Sequence, residues 1–530
     1  MKRTFRPLYL SLAMAFALAS CGSQKMISTP VENIDNLPLK TTPIAENDLK
    51  RWSHLDLAND TIPGMSVDKA YKELLKGKKG KKVIVGIVDS GVDINHEDLK
   101  AVVWTNPKEI AGNGIDDDKN GYIDDIHGWN FLGNAVHEQL EMTRIVKKGP
   151  GTPDYDKAKA ELEEELKGIQ PQKQQLDYIL NAEKALVGYF KKSDFTLEEV
   201  KAIPATETSL SQAKAVFTQV LSQSSKADFD KQIEEFKDYI YGQVNYNLNV
   251  DFDGRKIVGD NPDDLKDTKY GNNNVVGPEP KEAKHGTHVA GIVAQVRSNN
   301  KGGDGVTNNA QIMTLRAVPN GDEYDKDIAL AIRYAVDNGA KVINGSFGKY
   351  YSQHKEWVID AIKYAESKDV LVVIAAGNES YDLDVTNKYP NDTYDGSPEF
   401  AKNVLIIGAL SPTYGSKMVA SFSNYGKNNV DIYAPGDKIY ATTPLNTYEY
   451  LQGTSMASPN VAGVATLIRS YYPSLTAVQV KQIIMESGTP LKNQVVIGED
   501  KHKANFADTS KSGRIVNAYN ALVLAAKMAK

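Results

Sequence analysis

Six stretches of the chain are apolar runs with little polar alternation: 82–88, 311–318, 340–347, 370–376, 404–409 and 430–434. Runs of this kind predict strands buried on both faces, as in a parallel sheet covered by helices. Ile328 to Val336 and Trp357 to Ala365, lying between them, carry apolar residues at helical spacing, as does the C-terminal stretch Ile515 to Met528. The alternation predicts an α/β fold with a mostly parallel central sheet flanked by helices, joined by right-handed crossovers.

Residues 151–246 break that rhythm. Lys, Glu, Gln and Ala dominate, while Leu162, Leu166, Ile169, Leu176, Ile179 and Leu180 recur at roughly helical spacing. This predicts an inserted, mainly helical subdomain, interrupted at Pro171 and Pro204.

The N-terminus has a different pattern again. Lys2, Arg3 and Arg6 precede a short apolar stretch, Leu8 to Ala19. That stretch is too short to span a bilayer, which takes about 20 residues, and has the form of a signal peptide. It ends in Leu18-Ala19-Ser20-Cys21, which resembles the lipobox of bacterial lipoproteins. Cys21 is the sole cysteine of the 530 residues, so no intramolecular disulfide is possible. The resemblance implies export, cleavage before Cys21 and its lipidation, with Gly22 favouring an outer membrane; a plain secreted protein is the alternative. The polar residues that follow suit a tether. The expected organisation is a signal peptide at 1–20, lipidated cysteine and tether at 21–63, the main α/β body at 64–150 and 247–530, and the insertion at 151–246. The forty-odd residues between Cys21 and that body are short for a folded pro-domain.

Composition adds two exclusions. At 41% hydrophobic and 25% charged residues the chain is neither disordered nor a multi-span membrane protein. A net charge of −6 lacks the basic footprint of a nucleic-acid binder.

Three segments carry candidate chemistry. Asp89 ends the first apolar run, where open α/β sheets present functional groups, though an acid there can simply cap a turn. His285-Gly286-Thr287-His288 has small residues that let a helix start close to another backbone; the two histidines are weak grounds for a metal. Gly453-Thr454-Ser455-Met456-Ala457-Ser458-Pro459 places a serine at a helix start, where it is ordinarily an N-cap.

Together they occur in the order Asp, His, Ser, one of three known triad orders. With their flanking residues they closely resemble the three signatures of the subtilase family of serine proteases. Ala375-Ala376-Gly377-Asn378 resembles that family's oxyanion segment, and Ile343-Asn344-Gly345-Ser346-Phe347-Gly348 its substrate-lining strand. The resemblance covers about residues 66–130 and 250–525. It implies a serine endopeptidase in which Ser455 attacks the scissile carbonyl, His285 shuttles the proton, Asp89 orients the imidazole and Asn378 donates to the oxyanion. Polypeptide substrates would pair with Ser346, Phe347 and Gly348, beside Ala376 and Gly377. Gly345 and Asn460 depart from the family pattern, where a bulky apolar residue and a histidine are usual. The family's Asp-to-His spacing is usually a few tens of residues; here it contains the insertion, expected to lie at the cleft rim as a cap or a docking surface. A catalytically silent binding lipoprotein and a narrow processing protease are the other readings, and a monomer is expected.

Catalysis of this kind needs no cofactor. The segment Asn113 to Asp125, with a D-x-D-x-N-G core, resembles a calcium loop without being a complete EF-hand. Its candidate ligands are Asp116, Asp118, Asn120, Tyr122, Asp124 and Asp125; a solvated acidic turn is the alternative. Asn249 to Gly254 is a weaker acidic stretch. After Asn378, the acids Asp382, Asp384 and Asp392, with Tyr389, suit either a pocket for a basic substrate side chain or a solvated loop.

Overall fold

A computed structural model describes residues 44–529. The expected signal peptide, the Cys21 lipidation site and the tether up to residue 43 lie outside the described residues.

The apolar runs form strands β1 (Val83–Asp89), β3 (Ala310–Arg316), β4 (Val342–Gly345), β5 (Leu371–Ala375), β6 (Val404–Leu410) and β7 (Ile432–Pro435), joined by a short β2 (Gly128–Asn130). With the pairs 489–490 and 514–515 they make a nine-stranded sheet ordered (489–490)–(514–515)–β7–β6–β5–β4–β1–β3–β2. Every pairing from β7 to β2 is parallel. Alternate residues face opposite cores. Val85, Ile87 and Val373 join one cluster with the helices Lys284–Ala294 and Thr454–Tyr471; Val88, Val372 and Ile374 join the other with the helices Asp325–Asp337 and Lys355–Ser367. Burial on both faces is why these strands carry no polar alternation.

The body starts earlier than composition implied. Residues 44–63, expected to belong to the tether, pack onto it: Trp52 is buried and its indole donates to the carbonyls of Asp437 and Lys438, while Leu57 and Ile62 enter the core. A few well-placed apolar side chains outweigh a polar average.

Residues 151–246 form the helices Tyr155–Phe190, Leu197–Ala202, Ser211–Gln223 and Lys226–Gly242. The first runs unbroken through Pro171, contrary to the expected interruption. Losing one backbone donor costs about 3 kcal/mol, and Ile169 and Leu176, on either side, are both buried in the cluster that this helix shares with the body. The chain turns after Ala202 at Ile203-Pro204, as expected. The outer half of the insertion has its own small core, in which Phe195, Phe217 and Phe229 meet edge to face. The inner half packs on Met142, Ile145, Leu248 and Tyr351 of the body.

Candidate active site

Three neighbouring strands deliver the candidate residues to one edge of the sheet. Asp89 is the last residue of β1; Ser346 follows β4; Gly377 and Asn378 follow β5. In the order β5–β4–β1 their carboxyl ends are adjacent, which is where open parallel sheets bind ligands. The two helices of the inner core bring His285 and Ser455 to the same edge, each as the second residue of its helix.

The Asp89 carboxylate is buried, and its Oδ1 accepts from His285 Nδ1 at 2.7 Å and from the Ser90 amide at 2.7 Å. Gly286 makes this approach possible. A Cβ there would stand 2.1 Å from the Gly91 carbonyl and 3.1 Å from Asp89 Oδ1, so any other residue would push the histidine helix off β1. Burial pushes the His285 imidazolium down, but the charge and hydrogen bond of Asp89 outweigh it and hold the group above its ordinary value. With Nδ1 committed to Asp89, Nε2 is the nitrogen left for proton transfer.

His288, one turn on, is fully buried, and its Nε2 meets the carbonyls of Ile439 at 3.0 Å and Glu449 at 3.1 Å. Burial drives it down to about 3, so it is neutral and ties the helix to the hairpin formed by 439–443 and 447–451.

Ser455 is partly exposed at the start of an otherwise buried helix. Its hydroxyl donates to the Ser346 carbonyl at 3.1 Å; a Ser455–His285 bond is not made among the described residues in this state. Serine–base contacts are often loose without substrate, and rotation of χ1 moves the hydroxyl between acceptors. Pro459, four residues on, cannot donate to the Ser455 carbonyl. The Ser346 hydroxyl takes that place at 2.8 Å and also meets Ser458 Oγ and Asn344 Nδ2, each at 2.8 Å. The Ser346 side chain is thus engaged with the first turn of the Ser455 helix.

Asn378 is oriented by Thr454. The Thr454 amide donates to Asn378 Oδ1 at 2.8 Å and its hydroxyl donates to the same oxygen at 3.1 Å. This fixes the flip of the amide and leaves Nδ2 without a protein partner among the described residues; Nδ2 and the Ser455 amide nitrogen each lie 3.6 Å from where a Cβ on Gly453 would stand. The peptide groups of Ala376 and Gly377 are engaged by Asn424, Thr454 and Ile407. Asn424 was not foreseen. It is buried, donates to the Ala376 carbonyl and Tyr350, and accepts from the amides of Glu379 and Tyr381. Arg316 is a second such residue: its Nε donates to the Ser90 carbonyl and fixes the turn after Asp89. Both lie outside any short motif, so the chain pattern gave no signal.

Along the expected substrate strand, the Phe347 ring is buried in the core, turned onto Gly345, where a Cβ would lie 3.0 Å from it. The departure at Gly345 is thus explained: Phe347 fills the space of a bulky residue there. Asn460, the other departure, is buried and donates to the Pro435 and Met456 carbonyls. Gly348 lines a groove of about 970 Å³ with Tyr350, Tyr351, Glu379 and Tyr389, walled on one side by Glu161, Glu164 and Glu165 of the long insertion helix. The Tyr351 hydroxyl donates to Glu161 at 2.6 Å.

The acids after Asn378 do not face this groove with free carboxylates. Asp384 accepts from the amides of Asn428 and Asn429, Asp382 from the amide of Asp384, and Asp392 is buried against Lys481.

Of the six expected calcium ligands, Asp116 and Asp118 converge, and the third group is Glu109: one oxygen of each lies within 4.8 Å of the others. Asp124 is instead held by the amides of Gly112, Asn113 and Gly114, and Asp125 by Asn106, Asn120 and Tyr334. The Tyr122 ring packs edge-on against Trp129, Phe131 and Tyr334. Glu109 precedes the motif and was missed for that reason.

A parallel sheet with an Asp–His pair and a helix-borne serine at one edge defines a subtilase-type site. The subtilase family model matches residues 80–505, and the chain belongs to that family. It is 36% identical over 274 residues to a thermophilic serine proteinase from Bacillus sp. (strain AK1), covering 51% of this chain and 58% of that one. It is 41% identical over 187 residues to thermitase from Thermoactinomyces vulgaris, covering 35% and 61%. Among solved structures, proteases from Pseudoalteromonas arctica match at 31% identity over 46% of this chain and 70% of that one, with a TM-score of 0.37. The chain thus spans about three-fifths of the two curated relatives it matches here.

Proposed function

We propose that the protein is a serine endopeptidase acting through an acyl-enzyme. The observation that carries this reading is the 2.7 Å bond between His285 and buried Asp89, at the sheet edge where Ser455 begins its helix. Ser455 attacks the scissile carbonyl; His285 takes the hydroxyl proton and returns it to the leaving amine; Asp89 stabilises the imidazolium. Asn378 Nδ2 and the Ser455 amide are the donors for the oxyanion, and water then hydrolyses the ester by the same proton route. The test is hydrolysis of an unfolded protein and of short peptide anilides. Wild type should cleave both and Ser455→Ala neither; equal turnover by the two would refute it.

Three further features belong to the same reading. The insertion acts as a cap, since its long helix walls the groove next to Gly348. Calcium, held by Glu109, Asp116 and Asp118, would tie down the loop around them. Three converging carboxylates, one with a buried and unpartnered oxygen on Glu109, form a donor set of the kind a hard cation takes. If so, chelation lowers the melting temperature of wild type and leaves that of Glu109→Gln/Asp118→Asn unchanged. Attachment to a membrane is through a lipidated Cys21; no helix of the described residues is long and apolar enough to cross one. Cys21→Ser should release the protein from the membrane fraction.

A further inference from the structure

Two lysines flank the substrate strand, and they differ in how their charge is met. Lys349 is buried with its three donors taken: Glu141 Oε2 at 2.8 Å, the Glu323 carbonyl at 2.8 Å and Asp325 Oδ1 at 3.1 Å. Lys388 is just as buried, yet its Nζ has one partner among the described residues, the Phe347 carbonyl at 3.1 Å. No carboxylate of the described residues forms an ion pair with it. Its place is specific. A Cβ on Gly348 would lie 2.2 Å from Lys388 Nζ, so the ammonium sits flush against the glycine that lines the groove.

The geometry of attack relates this ammonium to substrate. Ser455 Oγ lies 3.1 Å from the Ser346 carbonyl, which sets a carbonyl under attack by Ser455 next to the segment Ser346–Gly348. Side chains of an extended peptide stand roughly perpendicular to its backbone. An extended substrate placed in this way directs the side chain of the residue that supplies this carbonyl toward the space between the 346–348 and 376–378 segments, and Lys388 lies against the first of these at Gly348 and the Phe347 carbonyl.

We propose that Lys388 is a specificity-determining residue, and that the enzyme prefers a glutamate or aspartate as the residue that supplies the scissile carbonyl. This inference rests on the proposed peptide cleavage. A substrate carboxylate would supply a further partner for a buried, under-bonded ammonium, whereas a large apolar side chain would leave that ammonium without one. Burial lowers the Lys388 ammonium from its ordinary value, against the pull of Glu323 and Glu379, and a substrate carboxylate beside it would raise it again. The sign is opposite to the one a pocket formed by Asp382, Asp384 and Asp392 would favour, and their carboxylates are engaged elsewhere.

The test separates recognition from cleavage. In Ser455→Ala protein, calorimetry measures binding of otherwise identical peptide amides ending in Glu, Gln or Phe. The Glu peptide should bind about tenfold or more tighter than Gln, the range for a hydrogen bond to a charged partner. Adding Lys388→Met should bring Glu and Gln within about twofold and improve Phe, while Lys388→Arg retains a Glu preference. Equal binding of Glu and Gln, or a Glu preference that survives Lys388→Met in protein with a wild-type circular dichroism spectrum, overturns the inference. Profiling the corresponding anilides with intact Ser455 reads the proposed cleavage separately. A binding preference without hydrolysis of any peptide would overturn the cleavage reading and leave the role of Lys388 standing.

Discussion

Single atoms decide the chemistry. His285 is held above its ordinary pKa by Asp89, so the base form of the enzyme appears only as pH rises past that raised value. The ascending limb of kcat/KM should therefore lie above about pH 6.5, the unperturbed histidine value. In Asp89→Asn the charge that raises it is gone, so any residual activity should have its limb at lower pH, with kcat down by about 10⁴. A pH–rate profile checks both, and an unshifted limb would show that Asp89 does not set the base. Thr454 acts at one remove. Thr454→Val keeps the backbone bond to Asn378 but removes the hydroxyl that bridges Asn378 and Gly377. Losing one orienting hydrogen bond should lower kcat by about tenfold with KM little changed. A rise in KM at constant kcat would mean that Thr454 serves binding instead. At this scale Asp89, His285, Asn378 and Ser455 were legible because each sits in a short motif. Asn424, Arg316 and Lys388 were not, because their partners lie tens to hundreds of residues away.

Elements meet through buried charge as well as through apolar packing. The short helix Glu141–Lys148 is pinned to the substrate strand by Glu141, which accepts from Arg144 and from Lys349. Burial alone would raise Glu141, but the two cations outweigh it and hold the carboxyl at about 2. Because the folded value lies below the unfolded one, the stabilisation is full above about pH 4.5 and is lost as pH falls toward 2. Glu141→Gln should then destabilise the protein by about 3–5 kcal/mol near neutrality, the usual result of removing one partner from a buried pair. The gap to wild type should narrow between pH 5 and pH 3. Denaturant melts across that range measure it, and a pH-independent gap would assign the loss to packing. Elements of the sheet were the most readable part of the chain, since a strand buried on both faces has an unmistakable apolar run. Pro171 misled because local backbone preference was weighed without the Ile169 and Leu176 contacts that hold the helix straight through it. In the D-x-D-x-N-G loop the pattern marks the turn and holds Asp116 and Asp118, while the third carboxylate that converges with them, Glu109, lies outside it.

At the scale of the whole molecule, the helical segment 151–246 lies in the chain between Asp89 and His285 and walls one side of the groove. The chain leaves and re-enters the body at neighbouring points, since the Leu140 amide and the Thr143 hydroxyl both donate to the Asn247 carbonyl. A short link can therefore replace residues 151–246, with Met142 and Ile145 made polar where they would be bared. If the insertion caps the cleft, the shortened enzyme should cleave a folded test protein that the full chain spares, at an unchanged rate on short anilides. An identical substrate profile would assign the insertion to docking instead. The proposed peptidase activity depends on Asp89, His285 and Ser455 forming a working triad. The measurement that tests it most directly is fluorophosphonate labelling of the folded protein, mapped by mass spectrometry. The predicted result is a single adduct on Ser455, absent in Ser455→Ala and strongly slowed in His285→Ala. A folded protein that takes no label, or takes it on another residue, would contradict the account.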